Sequence, residues 1–130
     1  MAQVKGRDTN PEKAVRSLLH RMGYRFRLQK KDLPGKPDIV LPKYHTAVFV
    51  HGCFWHRHSG CKRASRPATN IAYWDQKFAR NVTRDAQNEV ALENLGWHVL
   101  VVWECELKGL DALRVRFHEY FTALNVAEMP

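Results

Sequence analysis

At 130 residues the chain has the length of one domain, and a folded protein of that size buries roughly two-thirds of its unfolded surface, enough for a core of its own. With 45% hydrophobic and 26% charged residues it lacks the polar bias of a disordered segment, and no apolar run approaches a membrane span or a signal-peptide core. Lys and Arg outnumber Asp and Glu by 21 to 13, so the net charge of +8 favours a polyanionic partner such as nucleic acid over a merely solubilising surface. A single cytoplasmic domain over residues 1–130 is the expectation.

Residues 1–8 are short, polar and basic, and read as a flexible arm that orders on binding DNA. Thr9-Asn10-Pro11-Glu12 opens a helix: Thr9 is the N-cap, Pro11 suits the first turn, and Glu12 stands three after Thr9 as in a capping box. Val15, Leu18, Leu19 and Met22 continue at helical spacing until Gly23. The alternation Tyr24-Arg25-Phe26-Arg27-Leu28-Gln29 predicts a half-buried strand with Arg25 and Arg27 outward. A turn at Leu33-Pro34-Gly35-Lys36 leads to a strand over Pro37–Leu41, and Pro42-Lys43-Tyr44-His45 links it to another over Thr46–Val50. Tight links between three short strands predict an antiparallel meander.

Beyond a basic loop, Lys62-Arg63-Ala64-Ser65-Arg66-Pro67, Asn70 caps a long helix running to about Leu95, with Ile71, Trp74, Phe78 and Val82 as its apolar positions and Gly96 as its stop. Trp97–Trp103 is a continuous apolar strand, expected to be central and buried on both faces. A final helix over about Leu110–Leu124 turns Leu113, Phe117, Tyr120, Phe121 and Leu124 to the core. The order αβββαβα describes an α/β sandwich, a mixed sheet flanked by helices.

Chemistry concentrates in Val50-His51-Gly52-Cys53-Phe54-Trp55-His56-Arg57-His58-Ser59-Gly60-Cys61, directly behind an apolar strand. In a meander, Asp38 at the start of one strand neighbours Val50 at the end of the next, so the Asp38 carboxylate and the Val50 carbonyl form a candidate oxygen site for Mg²⁺; the plain alternative is a turn aspartate. Cys53, His58, Cys61 and Cys105 make a Cys₃His set, a closed tetrahedral shell for structural Zn²⁺ that staples the loop to the sheet; otherwise they are unrelated buried cysteines. Three cysteines cannot all pair within one chain, which suits a reducing compartment.

His51 and His56 remain for proton transfer or for stabilising phosphate charge; the plain alternative is polar surface histidines. Phe54 and Trp55 are either core anchors or a wedge between bases. On the long helix Trp74, Lys77 and Asn81 share one face while Arg80 and Arg84 form a neighbouring basic row, a DNA-binding surface or a solvated one.

Pro34-Gly35-Lys36-Pro37-Asp38, His51-Gly52-Cys53-Phe54-Trp55-His56, Arg80-Asn81-Val82 with Arg84-Asp85, and Leu95-Gly96-Trp97 through Val102-Trp103-Glu104-Cys105 resemble the very short patch repair (Vsr) mismatch endonucleases, in order and over most of the chain. The resemblance implies a restriction-endonuclease-like fold and an Mg²⁺-dependent enzyme that nicks DNA 5′ of the T in a T:G mismatch left by 5-methylcytosine deamination. It implies that Asp38 and the Val50 carbonyl bind metal, that His51 and His56 are catalytic, and that Glu12 is an acidic partner at that site. Phe54 and Trp55 would intercalate beside the mismatch, Met1 from the other groove, and Lys77 and Asn81 would contact its bases. It further implies monomeric action and functional links to a cytosine methyltransferase and to mismatch-repair proteins. Val50 is apolar where the family commonly has a polar residue, and His58-Ser59-Gly60-Cys61 is one residue longer than the family's spacing. Two rival readings are a nuclease of the same fold with another DNA target and a non-catalytic, zinc-stabilised DNA-binding module.

Overall fold

The computed structural model describes residues 10–28, 32–53, 57–58, 61 and 67–128, with backbone alone over 125–128. Helix α1 spans Asn10–Arg21 and is followed by β1 (Arg27–Leu28), β2 (Ile39–Leu41) and β3 (Thr46–His51). Helix α2 (Ile71–Asn94), β4 (His98–Trp103) and α3 (Leu110–Glu128) complete the chain, with 3₁₀ turns at Pro42–Tyr44 and Glu104–Lys108. The sheet has four strands in the order β1-β2-β3-β4. The first two pairings are antiparallel, as the short links require, and β3 pairs with β4 in parallel. Parallel neighbours need a long crossover, and α2 lies in that connection.

One face of the sheet carries Ile39, Leu41, Val48, Leu100 and Val102, which the register sets side by side. Val15, Leu18 and Leu19 of α1 and Leu113, Phe117 and Phe121 of α3 close over them. Each such side chain, fully buried, stabilises the fold by about 1.5–3 kcal/mol, so this face is the core. Tyr24 and Tyr44 extend it, their rings tilted at 47° against Phe121 with centroids 4.7 Å away in each case. On the other face α2 passes over Phe49, Val99 and Val101 and leaves a groove between helix and sheet. The two faces thus divide the labour: one is filled, the other is left partly open.

Several expectations change in detail. The alternation from Tyr24 holds as far as Arg27, with Arg25 and Arg27 exposed, but Leu28 is 42% exposed as well, and only Arg27–Leu28 pairs, against Val40 and Ile39. The β4 strand stands last in the sheet order instead of at its centre. Its burial alternates, Leu100 and Val102 buried while Val99 and Val101 are half-covered, because the parallel register turns those two toward the groove. In α2 only Phe78 and Leu92 are buried, and the expected core positions Ile71 and Val82 are 44% and 46% exposed. A helix spanning an open groove has no continuous core to bury a full stripe against.

Asn70 does precede α2, but in a left-handed conformation and without a side-chain cap bond. The turn at Gly35 forms with φ +74° and Lys36 N–H donating to Leu33 O; a Cβ at Gly35 would come within 2.9 Å of Asn88, so only glycine lets this turn close against α2. No helix among the described residues is long and apolar enough to cross a membrane. The 1–8 arm, the Thr9 cap, Gln29 and the basic loop over 62–66 lie outside the described residues.

Candidate active site and metal centre

The end of β3 supplies both halves of the site. Val50 N–H donates to Asp38 Oδ2 at 2.8 Å, which ties the carboxylate to the strand just beyond the last β2–β3 rung. The N–H and C=O of one strand residue point to the same side, so the Val50 carbonyl faces the side on which Asp38 sits. From the first turn of α1, Glu12 reaches the same place: it is only 5% exposed, and its carboxyl is hydrogen-bonded to that of Asp38. Burial pushes the Asp38 carboxyl from an ordinary 3.8 up to about 7; Val50 N–H opposes the rise, Glu12 adds to it, and the Arg16 guanidinium opposes it. Arg16 was not among the predicted site residues, though it stands one helical turn after Glu12, where a partner of that carboxylate belongs.

His51, the last residue of β3, is buried and lines the groove together with Asp38 and Val50. The groove measures about 500 Å³; Lys36 and the α2 residues Arg84, Asp85, Asn88 and Glu89 form its opposite wall. Arg84 also donates to Asn81 Oδ1 at 2.9 Å, which links the predicted basic row to the predicted base-contacting residue. Lys77 sits over the rings of Tyr73 and Trp74, at 5.8 and 5.9 Å, on the exposed side of α2. Arg80 borders Arg84 on the outer surface of the helix. A phosphodiester entering the groove meets two cations, Arg84 on the helix and Lys36, and carboxylates on both sides, Asp38 on the floor and Asp85 and Glu89 on the helix. Paired oxygens on that floor suit a hard divalent cation, which would make the floor attractive to a phosphate.

The second half is soft. Donor atoms of Cys53, His58, Cys61 and Cys105 all lie within 4.8 Å of one another, so the extra residue between His58 and Cys61 does not keep Cys61 out. The register explains how Cys105 arrives: His51 pairs with Trp103, so Cys53 and Cys105 each follow two residues past a paired position on parallel strands. Within the loop His58 N–H donates to Cys53 O at 3.0 Å and Cys61 N–H to His58 O at 3.3 Å, turns that fold the donors inward. His58 Nδ1 lies 3.4 Å from Cys105 Sγ. Burial pushes the Cys53 thiol up to about 11, with the Cys105 N–H opposing and the neighbouring Cys105 and Cys61 thiols adding to the rise. Four converging nitrogen and sulfur donors in a half-buried pocket fit a metal that holds thiolates, as zinc does.

Trp103 and Arg57 carry contacts that the sequence did not single out. The indole of Trp103 stacks on His58 and meets His51 edge-on, and the Arg57 guanidinium lies 4.2 Å over the Phe78 ring, joining the donor loop to α2. Trp103 stood within a recognisable motif; for Arg57 nothing in the sequence marks the partner. Met1, Phe54, Trp55 and His56 lie outside the described residues.

A family model described as DNA mismatch endonuclease Vsr matches residues 1–63. The chain is 55% identical over 116 residues to the type II nicking enzyme V.XorIIP of Xanthomonas oryzae pv. oryzae, covering 89% of this chain and 85% of that protein. It is 45% identical over 113 residues to the DNA mismatch endonuclease Vsr of Escherichia coli K12, covering 87% and 72%. Among solved structures it resembles the catalytic domain of the homing endonuclease I-Bth0305I, with a TM-score of 0.64 at 20% identity, over 90% of this chain and 98% of that one. That likeness identifies the mixed sheet and its helices as the restriction-endonuclease-like fold.

Proposed function

Because the chain belongs to the Vsr family of DNA endonucleases, we propose that it nicks one strand of duplex DNA 5′ of the T in a T:G mismatch, by Mg²⁺-dependent phosphodiester hydrolysis, and so starts very short patch repair. The observation that carries the reading is Asp38, held to the Val50 backbone and backed by buried Glu12, beside buried His51 in a groove that Arg84 and Lys36 also line.

Asp38 and the Val50 carbonyl would hold Mg²⁺, with Glu12 supporting Asp38 at the same site. The bound ion supplies charge neutralisation at the phosphate and an acidified water. His51 and His56 take the proton from the attacking water and offer one to the departing oxygen; as the water oxygen bonds to phosphorus, the P–O3′ bond breaks, leaving a 3′-hydroxyl and a 5′-phosphate. Lys36 and Arg84 orient the backbone from the opposite wall. The Cys53, His58, Cys61 and Cys105 set would hold Zn²⁺ as a purely structural ion, since protein donors fill all four positions.

On the DNA side, Phe54, Trp55 and Met1 wedge into the stack. Unstacking costs a few kcal/mol per step and less at a mismatch, so deformability itself favours the damaged pair. Lys77 and Asn81 then read base edges while Arg80 and Arg84 hold phosphates. The relatives named as type II nicking enzymes support single-strand cleavage over a double-strand break.

The test is strand-specific nicking of a labelled duplex with one T:G pair beside its T:A control, with Mg²⁺, and with Asp38→Ala in parallel. Cutting confined to the T strand of the mismatch, abolished by Asp38→Ala without loss of binding, is the expected result. Equal cutting of both duplexes overturns the mismatch assignment and leaves a nuclease with another target; tight binding without cutting by either protein leaves a DNA-binding module.

A further inference from the structure

We propose that Trp103 is a positioning residue that holds the ring of His51 in its working orientation and is itself held by His58, so that the Cys₃His cluster sets the geometry of the hydrolytic site as well as closing the loop. The inference rests on the reading of His51 as catalytic.

A histidine at a strand end has a free χ1 choice and a broad χ2 well, so the backbone alone does not aim its ring. Here the parallel register puts Trp103 directly opposite His51 on the same side of the sheet. The two rings meet edge-to-face, with centroids 5.3 Å apart and planes at 75°. On its other flank the indole is stacked on His58 at 4.2 Å and 10°. His58 in turn has its Nδ1 3.4 Å from Cys105 Sγ, within the donor cluster. Three rings therefore form a row from the soft-donor cluster to the groove, and the indole cannot rotate away from His51 without unstacking from His58.

The backbone under Trp103 is fixed independently. Its N–H donates to Glu106 Oε1 at 3.0 Å, Arg116 Nη1 lies 2.7 Å from each oxygen of that carboxylate, and Arg116 Nη2 donates to Val101 O at 2.9 Å. The clamp joins β4, the following 3₁₀ turn and α3, so the indole stands on a rigid base. Phe49, tilted at 5.9 Å on the strand side of His51, completes the enclosure. Misplacing a reacting group by about an ångström costs on the order of 100-fold in rate, which makes such a support worth measuring.

The test uses full-length, zinc-loaded protein carrying Trp103→Leu, Trp103→Phe or His51→Ala. The readouts are single-turnover nicking, DNA affinity, zinc content and the ¹³C order parameter of the His51 Cε1–Hε1 bond in DNA-free protein. Trp103→Leu is expected to slow nicking by about 10- to 100-fold with DNA affinity within about twofold, zinc retained and the His51 order parameter lowered. Trp103→Phe, which keeps a flat ring, restores the order parameter and most of the rate. Nicking at the wild-type rate with a rigid His51 in Trp103→Leu overturns the proposal. So do equal losses in both variants accompanied by loss of zinc, because Trp103 is then only packing for the cluster. If Trp103→Leu does not fold, the Phe variant decides: a mobile His51 in a folded, zinc-loaded Trp103→Phe protein refutes the ring contact, and a rigid one supports it. His51→Ala separates the two levels, since wild-type nicking by that variant sinks the catalytic reading of His51, whereas an inactive His51→Ala beside an unaffected Trp103→Leu sinks this inference alone.

Discussion

Two donor sets share the end of β3 and differ in every physical respect. The Asp38–Glu12 set is hard and acidic, with Glu12 buried and Asp38 lining a groove of about 500 Å³. The Cys53–His58–Cys61–Cys105 set is soft and closed, with four protein donors within 4.8 Å of one another. A closed shell leaves no position for water or substrate and suits architecture, whereas an open one keeps coordination sites for chemistry. The two sets meet at the end of β3, where Val50 holds Asp38 and Cys53 follows two residues after His51.

The sharpest way to break that contrast is to delete one donor from each side. Asp38→Ala should reduce nicking by at least about 10³-fold, several kcal/mol of lost charge stabilisation, while melting and DNA binding stay near wild type; retained nicking removes the hydrolytic assignment of the open set. Cys105→Ser should act in the opposite sense. We expect zinc content to fall below about half an equivalent and stability to drop by several kcal/mol, with activity lost only as a consequence. A Cys105→Ser protein that melts normally shows that the closed set is not a staple.

A smaller effect separates the sets by pH. The Asp38 carboxyl titrates at about 7 in the folded chain against an ordinary 3.8, so the folded state holds a proton that the unfolded state has released between those values. The Asp38 contribution is therefore neutral below about 4, becomes increasingly destabilising as pH rises to about 7, and is fully destabilising above that. Magnesium-free Asp38→Asn should melt well above wild type at pH 8, by up to about 4 kcal/mol for a carboxyl moved from 3.8 to about 7, and the gap should close by pH 4. Added Mg²⁺ should raise the wild-type midpoint at pH 8 and leave the Asn variant unmoved. A gap independent of pH assigns it to something other than this carboxyl.

The finest distinction lies along α2. Lys77→Ala should reduce discrimination between T:G and T:A duplexes by about tenfold, the size of one lost base contact, with little change in salt dependence. Arg80→Ala should weaken both duplexes alike and lower the salt slope by about one. If the two variants behave identically, the helix carries only a general phosphate surface.

What could be read from residue order was local. Helical spacing of Val15, Leu18 and Leu19 and of Leu113, Phe117 and Phe121 marked the core faces, and short links announced the antiparallel pairs. Donor chemistry marked Cys53, His58, Cys61 and Cys105 as one set and Asp38 with Val50 as another, because hard and soft ligands are distinguishable by residue type alone. The tertiary structure decided what joins them. The choice of β3 as the parallel partner of β4 is non-local, made by the α2 crossover and the packing of α1 and α3, and periodicity within β4 cannot specify it. That choice moved β4 from the expected centre to the end of the strand order, aligned Cys105 with Cys53, and set Trp103 between His51 and His58. Likewise Glu12 satisfies a capping pattern in sequence, yet only the docking of α1 on the sheet brings its carboxyl to Asp38 and makes a surface-type residue part of a buried acidic pair.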